Sequence, residues 1–153
     1  MPVQLDDLDR KIIVELQRDG RASHAQMARE LEVSEGTIRR RLGRLLQEEI
    51  IRVVAVAEPT KLGYHTSALV GLQVDPSQVE AAAGQLAQLA EAEYVAITTG
   101  SYDLFIWVHV ASAAELAVLL HTKVGVIPGV RHTETFVNLE TRKRVAGPLL
   151  APP

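Results

Sequence analysis

The first fifty residues carry apolar positions at helical spacing. Leu8, Ile12 and Leu16 recur every fourth residue, and Leu5 and Ile13 widen the stripe, which predicts an amphipathic helix from about Asp7 to Arg18. Asp6 or Asp7 caps its start and Gly20 follows its end. A second helix opens after Ser23, which forms with Gln26 the pair expected of a capping box. Met27, Ala28 and Leu31 are its apolar stripe. Glu32, Val33 and Ser34 make a tight break, and Ser34 can cap a third helix running to about Glu48. Three short helices, with a short break between the last two and the small Ala28 where helices could cross closely, predict a helix-turn-helix.

At Ile50 the texture changes. Ile50 to Ala57 is a β-rich run stopped by Glu58-Pro59, and a linker follows from Thr60 to Tyr64 with Gly63 as its soft point. Thr66–Val74 then reads as a strand, and Asp75-Pro76-Ser77-Gln78 starts a helix with Asp75 as its cap. Val79, Ala82, Ala83, Leu86 and Ala90 form that helix's stripe. Tyr94–Thr99 and Leu104–Val110 are strands around the turn Gly100-Ser101-Tyr102-Asp103. A Ser112–Glu115 capping box opens a helix carrying Leu116, Leu119, Leu120 and Val124, and Val130–Leu139 is the last strand. The order βαββαβ predicts an α+β, ferredoxin-like domain: four antiparallel strands with two helices on one face.

The domain boundaries expected from this pass are 1–52 for the helix-turn-helix, 53–65 for a β linker, 66–144 for the ferredoxin-like domain and 145–153 for a loose, Pro-rich tail. The strand from Leu104 to Val110 is apolar at nearly every position, whereas a half-solvated strand alternates. Helices cover only one face of such a sheet. A second copy of the sheet is the simplest cover for the other, so a homodimer is expected.

Composition narrows the chemistry. The chain has 153 residues and no cysteine, which excludes disulfides, thiolate zinc sites and cysteine nucleophiles. The amino terminus is acidic and lacks the apolar core of a signal peptide, and no apolar run approaches the roughly 18 residues of a membrane span. A soluble cytoplasmic protein with no membrane partner is expected. Net charge is −3; ten basic and ten acidic residues lie up to Arg52, six and nine beyond it. With no overall basic excess, a case for nucleic acid rests on one cluster: Arg39, Arg40, Arg41 and Arg44.

On the third helix, Ile38, Leu42, Leu45 and Leu46 fall on one side. Thr37, Arg40, Arg41 and Arg44 centre roughly 130° away, with Arg39 on the flank. Such a helix suits a DNA major groove, with guanidinium forks for guanine edges or phosphates and the Ser34, Glu35 and Thr37 end reaching deepest. A solvated arginine face is the alternative. Arg40, Arg41 and Arg44 have few acidic neighbours on their own face, and the preceding helix is placed to brace this one.

The turn from Gly100 to Asp103 offers a second candidate. Gly100 permits a backbone that points amides at a carboxylate, Asp103 could accept an ammonium, and Tyr102 could supply a wall or a hydroxyl. Thr133 and Thr135 share one side of their strand and could add donors. A plain hairpin turn explains the same residues. His24, His65, His109, His121 and His132 show no metal-ligand spacing, although His132 and Glu134 share a face. No Ser-His-Asp, P-loop or GxGxxG motif is present, so neither a cofactor nor catalysis is expected.

Five segments together resemble the Lrp/AsnC family of feast/famine transcription regulators. They are Leu8-Asp9-Arg10-Lys11-Ile12 through Arg21; Val33-Ser34-Glu35-Gly36-Thr37 through Leu42, with Arg44-Leu45 and Ile50-Ile51-Arg52; Pro59-Thr60-Lys61-Leu62-Gly63-Tyr64; Gly100-Ser101-Tyr102-Asp103-Leu104; and Pro128-Gly129-Val130 with Thr133 and Thr135. The resemblance spans residues 5–143. It implies a winged helix-turn-helix, a β linker and a ferredoxin-like effector domain that dimerises and often assembles further, to tetramers or octamers. It also implies double-stranded DNA as a partner and an amino acid or related small molecule as effector. On it, Ser34, Glu35, Thr37, Arg39, Arg40, Arg41 and Arg44 match the DNA-reading helix. Gly100, Ser101, Tyr102 and Asp103, with Thr133 and Thr135, match the effector region. Glu48-Glu49-Ile50 stands where the family usually has a glycine, which leaves a left-handed end to the third helix open. Two other readings remain on the same fold: a sirohaem-decarboxylase-like enzyme, which needs clustered bases and histidines that the net-negative second domain lacks, and an effector-independent architectural DNA binder.

Overall fold

A computed structural model describes residues 4–145 and 147–150. The chain forms two compact units: one runs to Val56 and takes in the segment from Arg144 onward, the other is Ala57–Lys143.

The first unit holds α1 (Asp7–Arg18), α2 (His24–Glu30) and α3 (Glu35–Gln47). Their starts follow from side-chain caps. Asp6 accepts the Asp9 amide at 2.9 Å and Asp9 accepts the Asp6 amide at 3.2 Å, a reciprocal box built from two aspartates. Ser23 accepts the Gln26 amide at 3.1 Å, but the Gln26 side chain turns along the helix to Glu30 and leaves that box half made. Ile12, Ile13, Met27, Ala28, Ile38, Leu42 and Leu45 are buried together as the core. Leu46, expected among them, is 42% exposed, because three residues already fill the inward arc of α3.

Helix α3 does end left-handed. Glu49 has φ 54°, the Ile50 amide donates to Leu45 O and the Glu49 amide to Leu46 O, which completes a Schellman motif on a glutamate. A side chain is strained at this φ. Glu49→Gly is therefore expected to raise the stability of this unit by about 1 kcal/mol, read from thermal unfolding.

Two expectations change here. Residues 51–57 form no strand, and Val53, Val54 and Val56 stand exposed: β propensity without a neighbouring strand makes no ladder. The β linker over 53–65 is instead chain without regular structure followed by a 3₁₀ turn, Pro59–Leu62, and no wing hairpin occurs among the described residues of the first unit. The described part of the 145–153 tail is held. Gln17 Nε2 donates to Pro148 O at 2.9 Å, the Leu150 amide donates back to Gln17 Oε1 at 3.1 Å, and Leu150 packs on the helical core. Ala146 and 151–153 lie outside the described residues.

The second unit is the βαββαβ sandwich: β1 (Thr66–Val74), α4 (Val79–Leu86), β2 (Ala92–Ile97), β3 (Leu104–Val110), α5 (Ala113–Leu119) and β4 (Val130–Val137). The sheet order is β2-β3-β1-β4, every pair antiparallel. Ala68, Val70, Leu72 and Val74 of β1 and Leu104, Ile106, Val108 and Val110 of β3 face Ala82, Leu86, Leu116 and Leu119 in a fully apolar core. Asp75 does not cap α4. It pairs with Arg131 at 3.2 Å, and Pro76–Gln78 form a 3₁₀ turn ahead of the helix. Ser112 does cap α5, accepting the Glu115 amide at 3.2 Å, and a π-helical turn, Leu120–Val124, continues that helix.

The alternate positions of β3 answer the question of its second face. Phe105, Trp107 and His109 are half-buried in one chain, while their neighbours are fully buried. Their side of the sheet, shared with Leu69, Tyr94 and Phe136, has no helix of this unit over it among the described residues.

Candidate functional site

Ser34 accepts the Thr37 amide at 3.1 Å, and the two hydroxyls lie 2.9 Å apart, so both are committed to the amino end of α3. Glu35 pairs with Arg39 at 3.2 Å across one exposed turn. Arg40 is exposed and forms no ion pair among the described residues. Arg41 and Arg44 behave differently. Both reach across to α1, where Arg41 pairs with Asp6 and Asp9 and Arg44 with Asp9, whose side chain is only 1% exposed.

Having few acidic neighbours on their own face does not leave Arg41 and Arg44 unpaired. Their partners lie 32 to 35 residues earlier, on another helix, where spacing along α3 cannot show them. The Asp6 carboxyl is held below its usual range, first by the Asp9 amide it caps and further by the Arg41 guanidinium. Hydrogen bonding to Asp6 raises Arg41 in turn.

In the second unit the turn 100–103 is pinned to the end of β1. The Asp103 amide donates to Leu72 O at 2.9 Å, Thr98 N donates to Asp103 O at 2.8 Å, and Gln73 Nε2 donates to Ser101 O at 3.0 Å. Asp103 Oδ2 accepts the Val74 amide at 2.8 Å, so half of this carboxylate already braces the turn. Gly100 takes φ 111°, which favours glycine. The Tyr102 ring lies over Gly71, where a Cβ would stand 2.8 Å from its Cγ, and it meets Phe105 edge-on at 5.4 Å.

Thr133 and Thr135 are not brought to that ring. They pair with Leu72 and Val70 and so share the helix-covered side of the sheet, while Gly71, Phe105 and Tyr102 define the open side. Sequence reasoning placed the two threonines on one side of β4 correctly but could not say which. It also missed a cluster on the open side: Ser67 Oγ lies 2.7 Å from His109 Nδ1, Trp107 Nε1 donates to His109 Nε2 at 3.1 Å, and Glu93 meets the same nitrogen. His109 stands out in the apolar run of β3 as a residue expected to be satisfied in the core or an interface, but its partners come from β1 and β2, which spacing along β3 cannot show. His132 and Glu134 do share the open side. No group of three ligating side chains that could hold a metal occurs among the described residues, nor any helix long and apolar enough to cross a membrane.

A three-helix unit presenting one outward cationic helix, followed by a ferredoxin-like unit with an uncovered sheet face, is the build of a DNA-binding regulator with a separate sensing domain. Known sequences agree. Residues 5–46 match the AsnC-type helix-turn-helix domain and residues 67–147 the Lrp/AsnC ligand-binding domain. The chain belongs to the Lrp/AsnC family. An uncharacterised HTH-type transcriptional regulator of Pyrococcus furiosus is 40% identical over 140 residues, 91% of this chain and 95% of that one. The structure of Escherichia coli AsnC superposes with a TM-score of 0.88 at 29% identity, covering 94% of this chain and 98% of the other. A Neisseria meningitidis transcriptional regulator solved with L-Met has the same fold, with a TM-score of 0.89 at 19% identity over 97% of each chain. The protein is a helix-turn-helix transcriptional regulator with a ligand-binding domain. It is not an enzyme, and the decarboxylase-like reading is set aside.

Proposed function

We propose that the chain acts in the cytoplasm as a homodimer, or as a tetramer or octamer built from dimers, that binds pseudo-palindromic duplex DNA through paired copies of α3. An amino-acid-like effector, held around Gly100, Ser101, Tyr102 and Asp103, shifts its assembly or DNA affinity. One observation carries the reading: an outward helix with exposed Arg39 and Arg40 belongs to the same chain as a ligand-binding domain whose aromatic sheet face lacks a helix cover. The amides of Gly100, Ser101 and Tyr102 donate to no acceptor among the described residues, which leaves them for a carboxylate. The L-Met bound by the Neisseria regulator supports an amino-acid effector. Thr133 and Thr135 belong to the proposed region only through the family pattern, since they face the helices.

Thermal unfolding in the presence of each of the twenty amino acids tests the effector, because a ligand held only by the folded state raises Tm. Asp103→Asn sharpens the test. Asparagine keeps a carbonyl oxygen for the Val74 amide but cannot pair with an ammonium. The variant is expected to fold normally and to bind the effector about 10- to 100-fold more weakly, the weight of a charged hydrogen bond. Wild-type affinity in this variant removes Asp103 from the site. No Tm shift with any amino acid argues for the effector-independent DNA binder instead.

A further inference from the structure

The four arginines of α3 do not form one surface. At about 100° per residue, buried Ile38, Leu42 and Leu45 define the inward direction of this helix. Gly36, Arg40, Gly43 and Gln47 then fall within about 50° of the opposite pole with Arg44 just beyond them, Arg39 lies on the flank about 90° from the inward direction, and Arg41 is only about 70° from it. Exposure separates them where angle alone does not: Gly36, Arg39, Arg40, Gly43 and Gln47 are exposed, whereas Arg41 and Arg44 are half-buried.

Arg41 and Arg44 are held by the buried Asp9, and Arg41 also by Asp6. Lending these two guanidiniums to a phosphate would strip a carboxylate that is 1% exposed of its partners. Arg39 is paired only with Glu35, and both are exposed, so that contact exchanges freely with solvent or phosphate. Arg40 has no such tie. A Cβ on Gly43 would meet nothing within 4 Å, and one on Gly36 only Ser34 Oγ at 3.8 Å. Packing within the chain does not demand glycine at either position, and glycine weakens a helix interior. Both keep the helix surface low beside Arg40, as close approach to a groove floor requires.

We infer that Arg40, with Arg39, makes the DNA contacts of this helix, and that Arg41 and Arg44 are positioning residues that lock the roll of α3 through Asp9 and so aim Arg40. This rests on the DNA-binding reading above. It divides a cluster that sequence alone treats as one.

The test measures binding of the full-length protein to a mixed-sequence duplex of about 40 base pairs across a KCl series, and to duplexes enriched from a random pool. Tm is measured in parallel, and binding is read where circular dichroism shows each variant folded. Arg40→Ala is expected to keep the wild-type Tm. It either flattens the salt slope by about one, as for a phosphate contact, or loses about 10- to 100-fold on the enriched duplex alone, as for a base contact. Arg41→Lys keeps charge but not the fork, and Arg41→Met removes both. Both are expected to lower Tm and to lose preference for the enriched duplex while keeping the wild-type salt slope. A purely structural role for Arg41 would leave that preference intact in the folded variant, and so contradicts the positioning role. A slope flattened in Arg41→Met as much as in Arg40→Ala, at unchanged Tm, makes Arg41 a phosphate contact and overturns the division. No salt-dependent binding by the wild-type protein overturns the DNA reading itself.

Discussion

Asp9→Ala is expected to destabilise the helical unit by about 2–3 kcal/mol. Asp9 joins the Asp6 box at the start of α1 and receives both Arg41 and Arg44 from α3. Removing one side of a buried ion pair typically costs about 3–5 kcal/mol, because the remaining charge loses its partner while still partly dehydrated. Here the arginine side chains are 22% and 38% exposed and can turn to water, which lowers the cost. For a domain of this size, that loss is a fall in Tm of roughly 10–20 °C by circular dichroism. Asp9→Asn should fall between Asp9→Ala and wild type, since the amide preserves part of the hydrogen bonding. A change below about 0.5 kcal/mol for Asp9→Ala, the level of an ordinary surface substitution, would show that water replaces the pair at no cost.

If the proposed dimer forms through the open face of the sheet, Trp107→Glu is expected to convert it to monomers without unfolding the second unit. Trp107 stands on β3 between Phe105 and His109, on the side of the sheet that carries no helix, while the core beneath is built from Leu104, Ile106, Val108 and Val110. A glutamate there has water around it in the separated chain. In a sheet-on-sheet dimer, the symmetry brings two such charges into one buried layer that already holds Glu93 beside His109. Dehydrating an unpaired carboxylate costs several kcal/mol, so the dissociation constant should rise about 1000-fold or more. Sedimentation velocity over a range of concentrations reads the effect directly. A variant with the mass and concentration dependence of the wild type would contradict a dimer through this face.

Local chemistry was legible in the sequence. Ser34 and Ser112 cap the helices their spacing assigns, and the 3.6 and 2 periodicities separate the helical unit from the sandwich. The misses share one physical origin, which is distance along the chain. The partners of Arg41 and Arg44 sit on α1, the second role of Asp103 is an amide 29 residues earlier, and Asp75 gives up a cap for Arg131. Thr133 and Thr135 illustrate a related limit. Alternation tells which residues of a strand share a side, but only the register against Val70 and Leu72 tells which side is covered. The run from Ile50 to Ala57 has strand composition, yet a strand exists only where a neighbour supplies a ladder, and one chain provides none there.

The left-handed residues ending α2 and α3 show how tightly the helical unit is folded despite unfavourable sequence. Glu32 and Glu49 both take φ 54°, in a region that favours glycine. In each case the chain turns sharply after the helix and an amide returns to it: Val33 to Ala28 O at 3.0 Å, and Ile50 to Leu45 O at 2.9 Å. The apolar side chains carried by Val33 and Ile50 then pack on the helical core. That burial offsets the local strain.

Selection of binding sites from a random pool of duplexes tests the account most directly. Two copies of α3 related by a two-fold axis predict enriched sites with inverted half-sites, their centres about one helical turn, or a whole multiple of it, apart. Failure to enrich any sequence, or enrichment of a single unpaired half-site by a protein that sediments as a monomer, would contradict it.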